Sequence, residues 1–133
     1  MPRRLVAFLR SVAAVIGGYA VVAAGTILTF NVLVGQVTVN SSLLQLMLGT
    51  IGAVISGLAG GMLAGIIAPR LPFLHAAGVL ILLAIDTASV LAKGLGPVWF
   101  DLAGSSILGL AVLAGGWIIA RRRDRTFVVQ PAV

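Results

Sequence analysis

Apolar residues along this chain gather in four long runs, about 11–34, 43–68, 73–92 and 98–120, divided by short stretches that hold most of the charges and Pro69, Pro72 and Pro97. Each run matches or exceeds the roughly 20 residues that cross a hydrocarbon core about 30 Å thick. No run alternates apolar and polar positions as the strands of a barrel would, and in lipid a helix satisfies its own backbone. The pattern predicts an all-α, four-transmembrane-helix bundle forming one integral membrane domain over residues 1–133.

A finer pattern lies in the second run. Small residues recur as adjacent pairs at every fourth position: Gly52-Ala53, Ser56-Gly57, Gly60-Gly61 and Ala64-Gly65, with Gly49 before and Ala68 after. Bulky Ile51, Val54, Ile55, Leu58, Met62, Leu63, Ile66 and Ile67 fill the gaps. Such a helix presents one bare face and one oily face. Between helices in lipid, a bare face lets backbones approach and gain van der Waals contact. A glycine-zipper docking surface is therefore expected, against the first or third span within the chain or against another protein. Ala13, Gly17 and Gly25 give the first span a partial stripe of its own.

Composition agrees with the membrane reading. The chain is 60% hydrophobic and 9% charged, with a mean hydropathy of +1.18, far from the polarity that a soluble fold of this size needs. Arg3 and Arg4 before an apolar run raise the question of a cleaved leader. The run continues through Val34, past the 7–15 residues of a leader's core, so an uncleaved first span is expected.

A net charge of +6 raises the question of nucleic acid, but the basic residues flank the spans. Arg3, Arg4, Arg10, Arg70, Arg121, Arg122, Arg123 and Arg125 fall on one side of the predicted topology, and Lys93 alone on the other. Positive charge marks the cytoplasmic face, so the chain is expected in the cell's inner membrane with both termini on the cytoplasmic side, with the bilayer as partner and no nucleic acid. Trp99 and Trp117 fall where an aromatic belt sits. The arginines from 121 to 125 suit either a stop-transfer anchor or anionic lipid heads, which the sequence does not separate. Residues Thr126–Val133 carry no predicted element.

Candidate chemistry centres on Asp86. It falls about 5 Å outside the middle of the third span, where an ionised carboxylate costs about 2.5–3.5 kcal/mol on insertion scales. It is therefore expected to face the interior. The same rise per residue brings Thr26, Thr50, Ser105 and Ser106 within about one turn of it in depth. This hydroxyl layer reads either as an interhelical clasp or as a proton or cation site. Lys93 lies about 10 Å farther out and is expected to snorkel; Asp101, in the first turn of the fourth span, is expected to cap that helix or pair with Lys93.

Enzyme chemistry is not expected. His75 lies about 16 Å along its helix from Asp86, too far for a Ser-His-Asp relay, and no nucleophile–base pair assembles. Cysteine is absent and a lone histidine makes no zinc site, so no metal or other cofactor is expected. A weak echo links Leu58-Ala59-Gly60-Gly61 with Leu113-Ala114-Gly115-Gly116, each ahead of arginine, as tandem hairpins of like orientation would show.

The stretch Gly60-Gly61 to Ala68-Pro69-Arg70-Leu71-Pro72, with His75 opening the next span, resembles a pattern in uncharacterised small bacterial four-span membrane proteins. Pro97, Trp99 and the late Gly115-Gly116 are similar as well. The resemblance implies a fold and a membrane location only. Small multidrug transporters match in length but carry a glutamate in the first span, which here has no acid; the signature motifs of small fluoride channels are also missing. The leading expectation is a helix-packing homo-oligomer or accessory subunit of a membrane-protein partner. The alternative is a small-solute or ion transporter or channel using Asp86 and the hydroxyl layer.

Overall fold

A computed structural model describes residues 3–38, 40–94 and 97–128. Within them the chain is helical: α1 spans Arg3–Leu28 and runs into a π-helical turn at Thr29–Leu33, α2 spans Leu43–Ile67, α3 Pro72–Lys93 and α4 Val98–Val128. All four helices are long and apolar enough to cross a membrane. Their outer faces carry large apolar side chains such as Phe8, Ile27, Ile55, Ile81 and Leu110, the surface a lipid-facing protein needs. α4 runs past the apolar limit at Ala120 to Val128, taking in part of the stretch without a predicted element; 129–133 lie outside the described residues.

The boundaries follow from local chemistry. Ser42 caps α2: its hydroxyl accepts from Gln45 N at 3.3 Å, while Gln45 Oε1 accepts from Ser42 N at 3.0 Å. This reciprocal box satisfies two otherwise orphaned donors. Gln45 Nε2 also donates to Val34 O at 3.4 Å, tying the start of α2 to the end of the π turn. At the other end, Pro69 forces Ala68 into an extended conformation (ψ 128°) and stops the helix. Pro72 opens α3 at a position where its missing N–H is not needed.

Between these prolines Leu71 is driven to φ 50°, ψ 65°, a left-handed conformation that costs a leucine about 1–2 kcal/mol. Its side chain is 68% exposed and recovers little by packing. Leu71→Asn, which tolerates that backbone, is expected to raise the thermal unfolding midpoint in detergent. A lowered midpoint would show that the leucine contributes more through its side chain than the backbone loses.

α2 is the centre of the bundle. It packs mainly on α4 and α1, while α3 lies chiefly on α4 and touches α1 and α2 less. The expected partnership of α2 with the first or third span is thus corrected to the first and fourth. The paired small residues explain why. Adjacent residues are about 100° apart on a helix, so each pair serves two neighbours.

First members face α1. A Cβ on Gly60 would meet Gly18 O at 2.6 Å, one on Gly18 would meet Ala64 Cβ at 2.8 Å, and one on Gly25 would meet Ser56 Cβ at 2.8 Å. Gly52 lies against Thr29 of the π turn that prolongs α1; Gly49, in register with the second members, lies against Phe30 of the same turn. Second members face α4. A Cβ on Gly57 would lie 2.8 Å from Leu108 O, Gly61 lies on the backbone of Val112, and one on Gly65 would meet Ile119 Cβ at 3.0 Å. Buried Ala53 continues this row toward the end that holds the α1–α2 connection. Val22, Ala64, Ala76, Val79, Leu83 and Val112 close the shared core.

Arginine finishes the end where α2 stops. Arg123 donates through Nη1 to Ala68 O and through Nη2 to Ile66 O, both at 3.0 Å, and Arg10 Nη2 reaches Ile67 O at 3.4 Å. These are carbonyls that the end of a helix leaves without partners, at the negative end of its dipole. Arg121 stacks on Trp117 with its guanidinium carbon 3.9 Å from the ring centroid. Part of the arginine cluster is therefore engaged with the protein itself.

Candidate functional site

At the opposite end of the bundle the four helices part around an open cleft of about 390 Å³. Small residues make the room: Ala23, Gly49, Ala53 and Gly104 line it, and a Cβ on Gly104 would meet nothing within 4 Å. The π turn contributes Phe30 and Asn31, and the segment after it contributes Gln36. π turns occur often at functional sites because the widened turn re-aims side chains. Here the turn closes with Val34 N donating to Thr29 O at 2.9 Å, and the buried Thr29 hydroxyl donates to Gly25 O at 2.8 Å.

Asp86 and Thr87 line the cleft from α3, Asp101 and Ser105 from α4, Thr26 from α1 and Thr50 from α2. Of the predicted polar layer, Asp86, Thr26, Thr50 and Ser105 thus come to one cavity. Ser106 does not. It is exposed and donates to Leu102 O of its own helix at 2.8 Å. One residue along a helix turns the side chain by about 100°, so depth alone cannot separate Ser105 from Ser106.

The hydroxyls do not clasp Asp86. Thr26 donates to Val22 O and Ala23 O at 2.8 and 3.0 Å, and Thr50 donates to Leu46 O at 2.8 Å. Thr87 donates to Leu83 O at 2.8 Å and also reaches Ser105 Oγ at 3.0 Å, joining α3 to α4. Asp86 lines the cleft and is exposed on the chain. Asp101, expected from the sequence to cap α4 or to pair with Lys93, lies in the first turn of α4 and shares the cleft with Asp86. Lys93 and His75 are not part of the lining; His75 Nδ1 lies 3.1 Å from Leu71 O at the far end of α3.

Tyr19, Asn31, Gln36 and Thr87 were missed by sequence reasoning. Thr87 adjoins Asp86 and shares its depth, so the signal was present. Asn31 and Gln36 sit at and beyond a helix end whose π turn leaves no periodic signature. Among the described residues no group of three or more His, Cys, Asp or Glu side chains is arranged to hold a metal ion. Comparison with known protein families, curated proteins and solved structures returns no match to this chain.

Proposed function

We propose that this protein is a multi-pass carrier or channel component of the cell's inner membrane, with both termini cytoplasmic, that admits a small solute to the Asp86 cleft from the outer side. One observation carries the reading: all four helices contribute to a single open cavity that gathers both acids of the predicted spans with three of the four hydroxyls expected beside Asp86. Cavities of this kind, between helices of a bundle and mainly apolar with a few convergent polar groups, are the usual form of a small-ligand site. The orientation rests on the basic residues, which cluster at the bundle end away from the cleft. The resemblance to small four-span bacterial proteins points to the same location.

Cysteine is absent from the chain, so one introduced thiol reports on one place. In spheroplasts, a membrane-impermeant maleimide is expected to label Ala23→Cys, inside the cleft, and to leave Ile55→Cys, on the exposed apolar face of α2, unmodified. Equal resistance of the two would remove the water-accessible site.

Assembly with a second copy or an accessory role is the second reading. The small-residue pairs of α2, from which it arose, are occupied within the chain. Its support is now the exposure of Asp86 beside Ile85, which is 61% exposed, on a span where a neighbouring protein would shield the carboxylate from lipid. A wild-type particle of monomer mass in mild detergent, with nothing co-purifying, would count against it.

A further inference from the structure

We infer that the solute taken by this cleft is an organic monocation, held by Asp86 and Asp101 together; this rests on the reading of the cleft as a water-accessible site. Three independent features point the same way. The first is sign: among the described residues two carboxylates line the cavity and no lysine, arginine or histidine does. A low-dielectric cleft lined by one sign of charge concentrates ions of the other.

The second is hydrogen-bond polarity. Thr26, Thr50 and Thr87 have already given their hydroxyl protons, wholly or in part, to carbonyls of their own helices. Each hydroxyl oxygen keeps lone pairs and has no second proton to offer. Together with the carboxylates these hydroxyls offer acceptors to a donor or a cation, while Tyr19, Asn31, Gln36 and Ser105 add side chains that can also donate.

The third is size and lining. Divalent metal ions are commonly held by several carboxylates at about 2–2.6 Å, and the described residues contain no group of three or more His, Cys, Asp or Glu side chains. About 390 Å³ instead suits a small organic molecule, at the lower end of the usual range for ligand pockets. Tyr19, Phe30 and Phe100 line the same space, and aromatic rings attract ammonium groups.

The test compares two methanethiosulfonate reagents of similar size, the cationic trimethylammonium-ethyl form and the anionic sulfonato-ethyl form. Both are applied to the protein carrying Ala23→Cys. Rates are normalised to Asn40→Cys, an exposed position at the same end that is not part of the cleft. The cation is expected to react faster by roughly tenfold or more after normalisation. Asp86→Asn added to Ala23→Cys should erase most of that preference, and benzyltrimethylammonium, but not benzenesulfonate, should protect the thiol. Val90→Cys, on the exposed part of the lining, gives the same readings should Ala23→Cys disturb folding. Equal rates for the two reagents, or a faster anion, overturn the cation assignment and leave the open site standing. No reaction with either, in a protein that keeps its size and helicity, removes both.

Discussion

Gly61→Ala is expected to destabilise the bundle by about 3 kcal/mol, and Gly61→Leu to prevent native packing altogether. A Cβ at this position would fall on the peptide of Val112, whose carbonyl carbon and Cα would lie at 2.8 and 2.9 Å. A flexible side chain can rotate aside, but a helix backbone has to move as a body. Moving α4 loosens every contact it makes with α2. Gly104→Ala supplies the control: the same methyl there meets nothing within 4 Å, and removing a glycine from a helix gains up to about 1 kcal/mol. Thermal unfolding in one detergent, followed by helicity and by particle size, reads both. Equal midpoints for Gly61→Ala and Gly104→Ala would contradict the α2–α4 contact.

Asp86→Asn is expected to weaken capture of a small organic cation by roughly tenfold to a hundredfold, since hydrogen bonds to a charged group contribute about 1.5–3 kcal/mol. The readout is the benzyltrimethylammonium concentration that half-protects a thiol at Ala23→Cys. Asparagine preserves the size and removes the charge, so helicity and particle size should stay as they are. Ser106→Ala should leave protection unchanged, because that hydroxyl bonds its own helix on the exposed side. A matching loss in both variants would mean that the depth of a residue matters here and the face it occupies does not.

The contrast between Ser105 and Ser106 marks how far the sequence could be read. Hydropathy and length placed four spans whose ends fall within a few residues of α1–α4, apart from the extensions of α1 to Arg3 and of α4 to Val128. Those extensions are rich in arginine, so apolar length could not report them. Rise per residue placed the polar side chains in depth. Rotation about each axis was not legible, because it depends on which neighbour each small residue meets.

The pairs on α2 contained that information in part. A single stripe calls for one partner, whereas Ser56-Gly57 and Gly60-Gly61 offer two adjacent faces and find α1 on one and α4 on the other. Ser42 and Gln45 carried the reciprocal cap in plain sight, as a serine three residues before a glutamine at the head of an apolar run. Rise per residue puts Asp101 and Asp86 about one helical turn apart in depth, which is small beside a cavity that reaches from Tyr19 to Gln36.

The arginine caps bear on how the molecule deforms. Arg10 from α1 and Arg123 from α4 both grip the last carbonyls of α2, so three helices share one knot at that end. The Gly61–Val112 and Gly18–Ala64 contacts lock the next two turns. Beyond them the same helices surround empty volume, bridged in part by the Thr87–Ser105 hydrogen bond. Such a body is tied at one tip and sparsely cross-linked at the other, so in the carrier proposed above any widening of the mouth around Asp86 would hinge on the arginine-tied tip.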